Sequence, residues 1–313
     1  MNRVFNRRRI LGLMALAMAN LAISYWMGQQ AYGWLPPQAS SESILVDKLF
    51  SFMTAVGTFI FIGVTGTLLY SMFFQRAAKY DESDGPPIEG NVTLEVVWTA
   101  VPILLIIWIG TVSFNTYDQM SLLEAIAPPM LETVETVPGD LQTAVSGDAA
   151  EDYPPIEVHS RQWSWEFRYP EANVSSTELH LPINQRAHFK LTSDDVLHGF
   201  YVPAFRVKQD IVPGREIDFS FTPIRIGRYR LRDSEYSGTY FAANQTNVVV
   251  ESESDYKDWL ATAAAATPIT ASNIAAEDFA RATESGISLG WATVEPAPAP
   301  TVNYTHSEED SYE

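Results

Sequence analysis

Gln162-Trp163-Ser164-Trp165-Glu166-Phe167-Arg168-Tyr169 alternates strictly, with aromatic side chains on one face and polar ones on the other. Successive side chains of an extended chain point to opposite faces, so a period of two marks a half-buried strand. Further β-prone runs follow at residues 177–181, 186–191, 199–202, 216–221, 228–231 and 240–250. Pro182-Ile183-Asn184, Pro213-Gly214 and Ser237-Gly238 punctuate them as turns. Many short strands at this spacing predict an all-β sandwich or small barrel over residues 156–252.

Toward the N-terminus the chain turns apolar. Residues 10–27 follow Arg7, Arg8 and Arg9, a basic start before a short apolar run. This fits either a signal peptide, with Ala31-Tyr32-Gly33 as its cleavage site, or an anchor that is kept. Residues 49–74 carry no charge and are long enough to cross a bilayer. Their glycines and β-branched residues suit a packed membrane helix. A third apolar run spans 94–114 with Pro102 inside it, a residue that bends a membrane helix without ending it. Arg76 and Lys79 lie between the last two runs. The positive-inside rule puts that loop, like the N-terminal arginines, in the cytoplasm. The β-rich part is then expected on the opposite, periplasmic or lumenal, side.

The 313 residues carry a formal net charge of −18. Residues 118–157 hold nine acidic side chains and no Lys or Arg, and residues 267–313 hold eight acidic side chains and one Arg, Arg281. Such runs read as solvated segments that keep the chain soluble, or as an acidic face for a basic partner. They argue against nucleic-acid binding, which needs clustered positive charge. The chain has no cysteine. That removes disulfides, thiolate zinc sites, covalent c-type haem attachment and a lipidated N-terminal cysteine. After Tyr256, Ala-rich sequence predicts short helices at 257–265 and 275–283. The Pro/Ala segment at 296–300 and the acidic end read as disordered.

Three stretches carry a resemblance. Leu94-Glu95-Val96-Val97-Trp98-Thr99-Ala100-Val101-Pro102 resembles the start of the second membrane helix of cytochrome oxidase subunit II. Arg161-Gln162-Trp163-Ser164-Trp165 is similar to that family's aromatic strand. Val196-Leu197-His198-Gly199-Phe200 through Val207-Lys208-Gln209-Asp210-Ile211-Val212-Pro213-Gly214-Arg215 resembles its central block. The likeness runs in order over residues 43–250.

The resemblance implies an α+β membrane protein. Residues 1–42 would be a signal peptide or anchor, 43–118 a transmembrane hairpin, and 119–155 an acidic linker. A cupredoxin-like Greek-key β-sandwich would fill 156–252, with an acidic tail at 253–313. In the family this outer domain holds CuA, a dinuclear copper centre that takes electrons from cytochrome c. Two thiolates bridge the coppers, soft sulfur suiting the lower oxidation state. Here Asp233 and Ser237 stand at the two cysteine positions, Phe241 at a His and Asn244 at a Met, while His198 and Glu235 remain. A chain without cysteine cannot form CuA. His198, Asp233 and Glu235 are left as a candidate nitrogen–oxygen set for zinc or copper, against a plain hydrogen-bonded role for His198. His159, His180 and His188 read as structural, and His306 lies in the tail. Arg228, Arg230 and Arg232 alternate toward the loop, and one guanidinium is expected against Asp233 or Glu235, in the space the metal left.

A lost CuA within a kept scaffold fits the quinol-oxidising branch of the haem-copper oxidases, and the alternative respiratory terminal oxidase group in particular. There quinol delivers electrons inside the membrane to a haem of subunit I. The implied partners are subunit I, holding haems and CuB, and subunit III, in lipid. The complex would reduce oxygen to water and translocate protons. This chain would hold no redox centre of its own. Glu95 matches the family's glutamate at the mouth of a proton pathway, and a carboxylate at membrane depth is a functional candidate. Glu235 matches a residue that reaches a magnesium ion at the boundary with subunit I. Trp163 matches the tryptophan that receives electrons. With no acceptor behind it, it is expected to pack in the aromatic face. Two alternatives stand beside this reading: a cytochrome c oxidase subunit 2 with a degenerate CuA site, and an anchored binding protein reusing the cupredoxin fold.

Overall fold

The computed structural model describes residues 7–76, 90–125, 153–267 and 273–284. The chain divides into two units, one of membrane-type helices and one built on β-sheet. Among the described residues, three helices are long and apolar enough to cross a membrane: α1 (Arg7–Ala31), α2 (Ser41–Phe74) and α3 (Val92–Ala125). Their leucine, isoleucine and phenylalanine side chains are broadly exposed in the isolated chain, as lipid-facing surfaces are. In a bilayer every polar group needs an internal partner. The hydroxyls of Thr58, Thr67, Thr99, Thr111 and Thr116 accordingly donate to the carbonyl four residues back. The helix of α3 runs on past residue 114, where the apolar run ends, to Ala125.

The first two helices pack closely. Gly28 is the point of approach, since a Cβ there would lie 2.9 Å from the Ser51 carbonyl oxygen. Ser51 Oγ donates to the Gly28 carbonyl at 2.8 Å, and Asn20 Nδ2 donates to the Phe59 carbonyl at 3.1 Å. Small residues and interhelical hydrogen bonds are what hold membrane helices together.

The β unit is a cupredoxin-like sandwich of two five-stranded sheets. The strands are β1 (Ile156–Arg161), β2 (Ser164–Tyr169), β3 (Val174–Ser176), β4 (Leu179–Pro182), β5 (Ala187–Ser193), β6 (His198–Val202), β7 (Val207–Ile211), β8 (Ile217–Phe221), β9 (Gly227–Asp233) and β10 (Gln245–Glu251). One sheet is ordered β3-β2-β1-β5-β8 and the other β4-β10-β9-β6-β7. The β1–β5 and β4–β10 pairs are parallel and the rest antiparallel. Alternation buries Trp165, Phe167 and Tyr169 of β2, Phe189 and Leu191 of β5, and Phe200 of β6 between the sheets. Phe189 and Phe221 stack at 4.9 Å, and Phe205 meets Phe221 at 5.2 Å.

Trp163 departs from the predicted pattern. It sits in the two-residue turn joining β1 to β2, so it leaves the core face and joins a separate cluster with Tyr240, Ala243 and Ala275. The β unit also takes in Pro36–Ile44. Ala39 exchanges backbone hydrogen bonds with Ala204 and Ile224, and Ser41 N donates to the Thr222 carbonyl. Buried Glu42 accepts from Thr222 N and faces Arg186 at 3.5 Å.

Two helices follow the sandwich. Ser252 caps α4 (Glu253–Ala265) by accepting from Asp255 N at 3.1 Å. Asn273 caps α5 (Ile274–Glu284) by accepting from Ala276 N at 3.1 Å. The disorder expected near the C-terminus, His306 and most of the acidic linker lie outside the described residues.

Candidate functional site

The candidate residues meet at one end of the sandwich, where β6 begins, β9 ends and the 233–244 loop returns into β10. Pairing of Phe200 with Asp233 and of Tyr201 with Arg232 sets β6 against β9. His198 and Asp233 are thereby brought together inside the domain. His198 Nδ1 lies 2.7 Å from Asp233 Oδ2, and His198 Nε2 lies 2.8 Å from Asp195 Oδ1. An aspartate thus stands at each ring nitrogen of a fully buried histidine.

Asp233 is the hub. Besides His198, its carboxylate accepts from Gly199 N at 2.8 Å, Glu235 N at 3.1 Å, Ser237 Oγ at 2.8 Å and Asn244 Nδ2 at 3.1 Å. Asp195 accepts in addition from Gln162 N at 2.7 Å and Val196 N at 2.6 Å. Trp163 Nε1 and Gln162 Nε2 both donate to the Ser237 carbonyl, at 3.0 and 2.6 Å. Two glycines make the closure possible. A Cβ on Gly199 would fall 2.0 Å from Ser234 Oγ, and Gly238 (φ +111°) would drive one to 2.7 Å from Gln162 Nε2.

The electrostatics follow from this packing. Burial by itself would favour neutral His198. Its hydrogen bonds to Asp195 and Asp233, and their charges, outweigh burial and raise its pKa to about 9. Burial likewise pushes both aspartates upward, and is overcome by His198 and the surrounding N–H and O–H donors, so both end below the usual range. At neutral pH the site is an imidazolium held between two carboxylates.

Not every predicted residue joins it. Glu235 turns its carboxylate to Lys208, 2.7 Å away, and Lys208 also meets Asp210 at 3.2 Å. His198, Asp233 and Glu235 therefore do not converge on one point. Among the described residues, no group of three or more His, Asp or Glu side chains is placed to hold a metal ion. Phe241 packs against Tyr236 at 5.2 Å and beside the Trp163 cluster.

The expectation of an arginine against Asp233 or Glu235 fails. Arg228, Arg230 and Arg232 all lie on the exposed face of β9, and Arg228 pairs with Glu178 at 2.6 Å. The alternation of β9 decides this: Leu231 and Asp233 face inward, so the residues between them face out. Histidine supplies the cation inside, and Lys208 supplies it for Glu235. Sequence reasoning missed Asp195 and Lys208. Asp195 was within reach, three residues before His198; Lys208 is 27 residues from Glu235 and meets it through the pairing of β6 with β7. His159 accompanies Thr192, and His180 lies between Glu178 and Glu251 against the Trp259 ring.

Residues 24–116 match the family profile described as the cytochrome c oxidase subunit II transmembrane domain, and residues 172–252 match its periplasmic domain. A cytochrome c oxidase subunit 2 of Thermostichus vulcanus is 32% identical over 264 residues, covering 76% of this chain and 80% of its own. The chain belongs to the cytochrome c oxidase subunit II family. A second cytochrome c oxidase subunit 2, from Synechocystis sp., is 31% identical across 76% of this chain and 78% of its own. A quinol oxidase subunit 2 of Bacillus spizizenii is 26% identical across 72% of this chain and 63% of its own. This subunit II is membrane-anchored, with its β-domain on the periplasmic side.

The CuA centre implied by the family resemblance does not fit these residues. It needs two thiolates to share between two soft copper ions. Asp233 and Ser237 offer hard oxygens; Ser237 donates to the Asp233 carboxylate, which is also bonded to His198.

Proposed function

We propose that this chain is the subunit II of a quinol-oxidising terminal oxidase, a part of the complex that carries no redox centre. The observation behind this reading is the Asp195–His198–Asp233 cluster, which fills the loop end of the sandwich in a chain that has no thiolate. An outer domain without an acceptor cannot relay electrons from a soluble donor, so electrons have to reach the oxygen-reducing subunit within the membrane. The subunit's work is then to bind subunits I and III, which hold or flank the haems and CuB, and to support proton uptake. The likeness to a quinol oxidase subunit 2 supports the same reading.

Glu95 is the residue assigned to proton uptake. It lies in the first turn of α3, where Asn91 accepts from Leu94 N and Glu95 N, within a span of mean hydropathy 2.2. A carboxylate there is costly unless it is hydrated or used. A magnesium ion at Glu235 would have to displace Lys208.

The test is oxygen uptake by the purified complex with quinol and with reduced cytochrome c supplied separately. Turnover with quinol alone is expected. Turnover with cytochrome c and none with quinol would refute the assignment. Glu95→Gln is expected to lower quinol-driven turnover and proton uptake together, on the order of tenfold or more for loss of a positioned proton carrier.

A further inference from the structure

Trp163, Tyr240 and Ala243 form an apolar cluster at the loop end of the sandwich, distinct from the core between the sheets, with Phe241 packed at its edge. Its cover comes from the C-terminal helix α5. Ala275 is buried against it, and the Phe279 ring meets Trp163 edge-on at 5.2 Å, as Tyr240 does from the domain itself. Ala275 is buried and Ala276, Asp278, Phe279 and Ala282 are partly covered, while Ile274, Glu277, Ala280, Arg281 and Thr283 are exposed. That spacing is one face of an amphipathic helix. Polar contacts pin the same face. Asn273 Nδ2 donates to the Gln162 carbonyl at 3.0 Å, and the Tyr240 hydroxyl donates to the Asp278 carboxylate. The helix thus bridges the 162–163 turn and the Tyr240 side of the loop, the two segments that frame the His198–Asp233 site.

We propose that α5 is a tethered cap: it closes a helix-docking groove over Trp163 and keeps soluble proteins from this end of the domain. An amphipathic helix laid in an aromatic groove is a recurrent mode of recognition. Here ligand and groove share one chain, joined through residues 268–272. Covalent connection makes the docking intramolecular, with an effective concentration on the order of millimolar, so a docking face of modest strength stays filled. The cluster's separation from the main core lets the cap open without unfolding the sandwich. This inference does not depend on which donor serves the complex.

The absence of cysteine supplies the test. In the full-length chain within its membrane complex, Ala275→Cys puts a thiol under the cap and Ala280→Cys puts one on its outer face. Labelling by a water-soluble maleimide is read on this chain after the subunits are separated by mass. It is expected to be at least about tenfold slower at 275 than at 280. Adding Phe279→Asp to Ala275→Cys is expected to remove the difference. Asn273→Ala, which takes away both the N-cap of α5 and its bond to Gln162 and leaves the groove intact, is expected to narrow it. In a chain ending at Thr267, Ala243→Cys is expected to react, and an added peptide of residues 273–284 to shield it again. Equal rates at 275 and 280 overturn the proposal. So does protection that survives Phe279→Asp, or a groove that the peptide fails to shield.

Discussion

His198 carries a charge that depends on its two neighbours, and the sign of the pH dependence follows. A histidine in the unfolded chain titrates near ~6.5, and in the fold the pKa is raised to about 9. Its contribution to stability is therefore complete below about pH 6.5 and is lost as pH rises through about 9, roughly 3 kcal/mol in all. Asp195 and Asp233 act oppositely. Their lowered values give stability that is present above about pH 4 and lost as pH falls through them. The β-domain of the detergent-solubilised chain should thus be most stable between about pH 4 and 6.5, by denaturant titration followed through the buried tryptophans. His198→Gln should flatten the alkaline limb, and an unchanged slope in that variant would break the assignment. Asp233→Asn leaves an imidazolium short of one carboxylate, and should cost about 3 kcal/mol at neutral pH. Gly199→Ala tests the packing rather than the charge. Its Cβ has no room beside Ser234, so a loss of at least about 1 kcal/mol is expected even though alanine is nearly the smallest change available.

At the scale of elements, α4 packs on the sandwich core through Tyr256, Trp259, Leu260 and Ala263. Trp259 stacks on His180 at 3.9 Å and 6°, with buried Tyr256 on the same helix face. Trp259→Ala should cost about 2–3 kcal/mol and raise hydrogen exchange across α4 well before the strands respond. Simultaneous exchange of α4 and the sandwich would mean that the helix is part of the central cooperative unit. The elements themselves were largely legible in sequence. The alternation in β2, the turn prolines and glycines and the Ala-rich stretches foretold most strands and both C-terminal helices, because those signals are local. The pairing of charges was not local. Three arginines next to an acidic loop suggested ion pairs, yet a strand's period of two sends Arg228, Arg230 and Arg232 out whenever Leu231 and Asp233 go in. Trp163 misled for a related reason. It continues the alternation of β2, but the turn at 162–163 breaks the strand's face before it, and its partner Phe279 is more than a hundred residues away. The site's histidine and loop could be named from sequence. The Lys208–Glu235 contact and the docking of α5 on Trp163 needed the fold, whereas Asp195 stands only three residues before His198.

For the whole molecule, the two units impose a parity on the membrane crossings. Pro36–Ile44 joins α1 to α2 and belongs to the β unit, anchored there by Ala39, Ser41 and Glu42. That connection must lie on the same side as the sandwich, outside. From it α2 crosses inward and ends at Phe74, and the next crossing, α3, then starts on the inner side at Val92. Charge reaches the same answer independently. Arg76 and Lys79 lie between these two helices in sequence, and Lys and Arg are retained on the cytoplasmic side. Packing and charge could have disagreed; that they agree makes the arrangement testable by a single pair of thiols in a chain with none of its own. Tyr236, 76% exposed on the site loop, replaced as Tyr236→Cys should react with a membrane-impermeant reagent on intact cells once any outer envelope is removed. Ser83→Cys should react only after lysis. Labelling of both before lysis, or the reverse order, would break the parity and would put Glu95, at the inner end of α3, on the wrong side to take up protons from the cytoplasm.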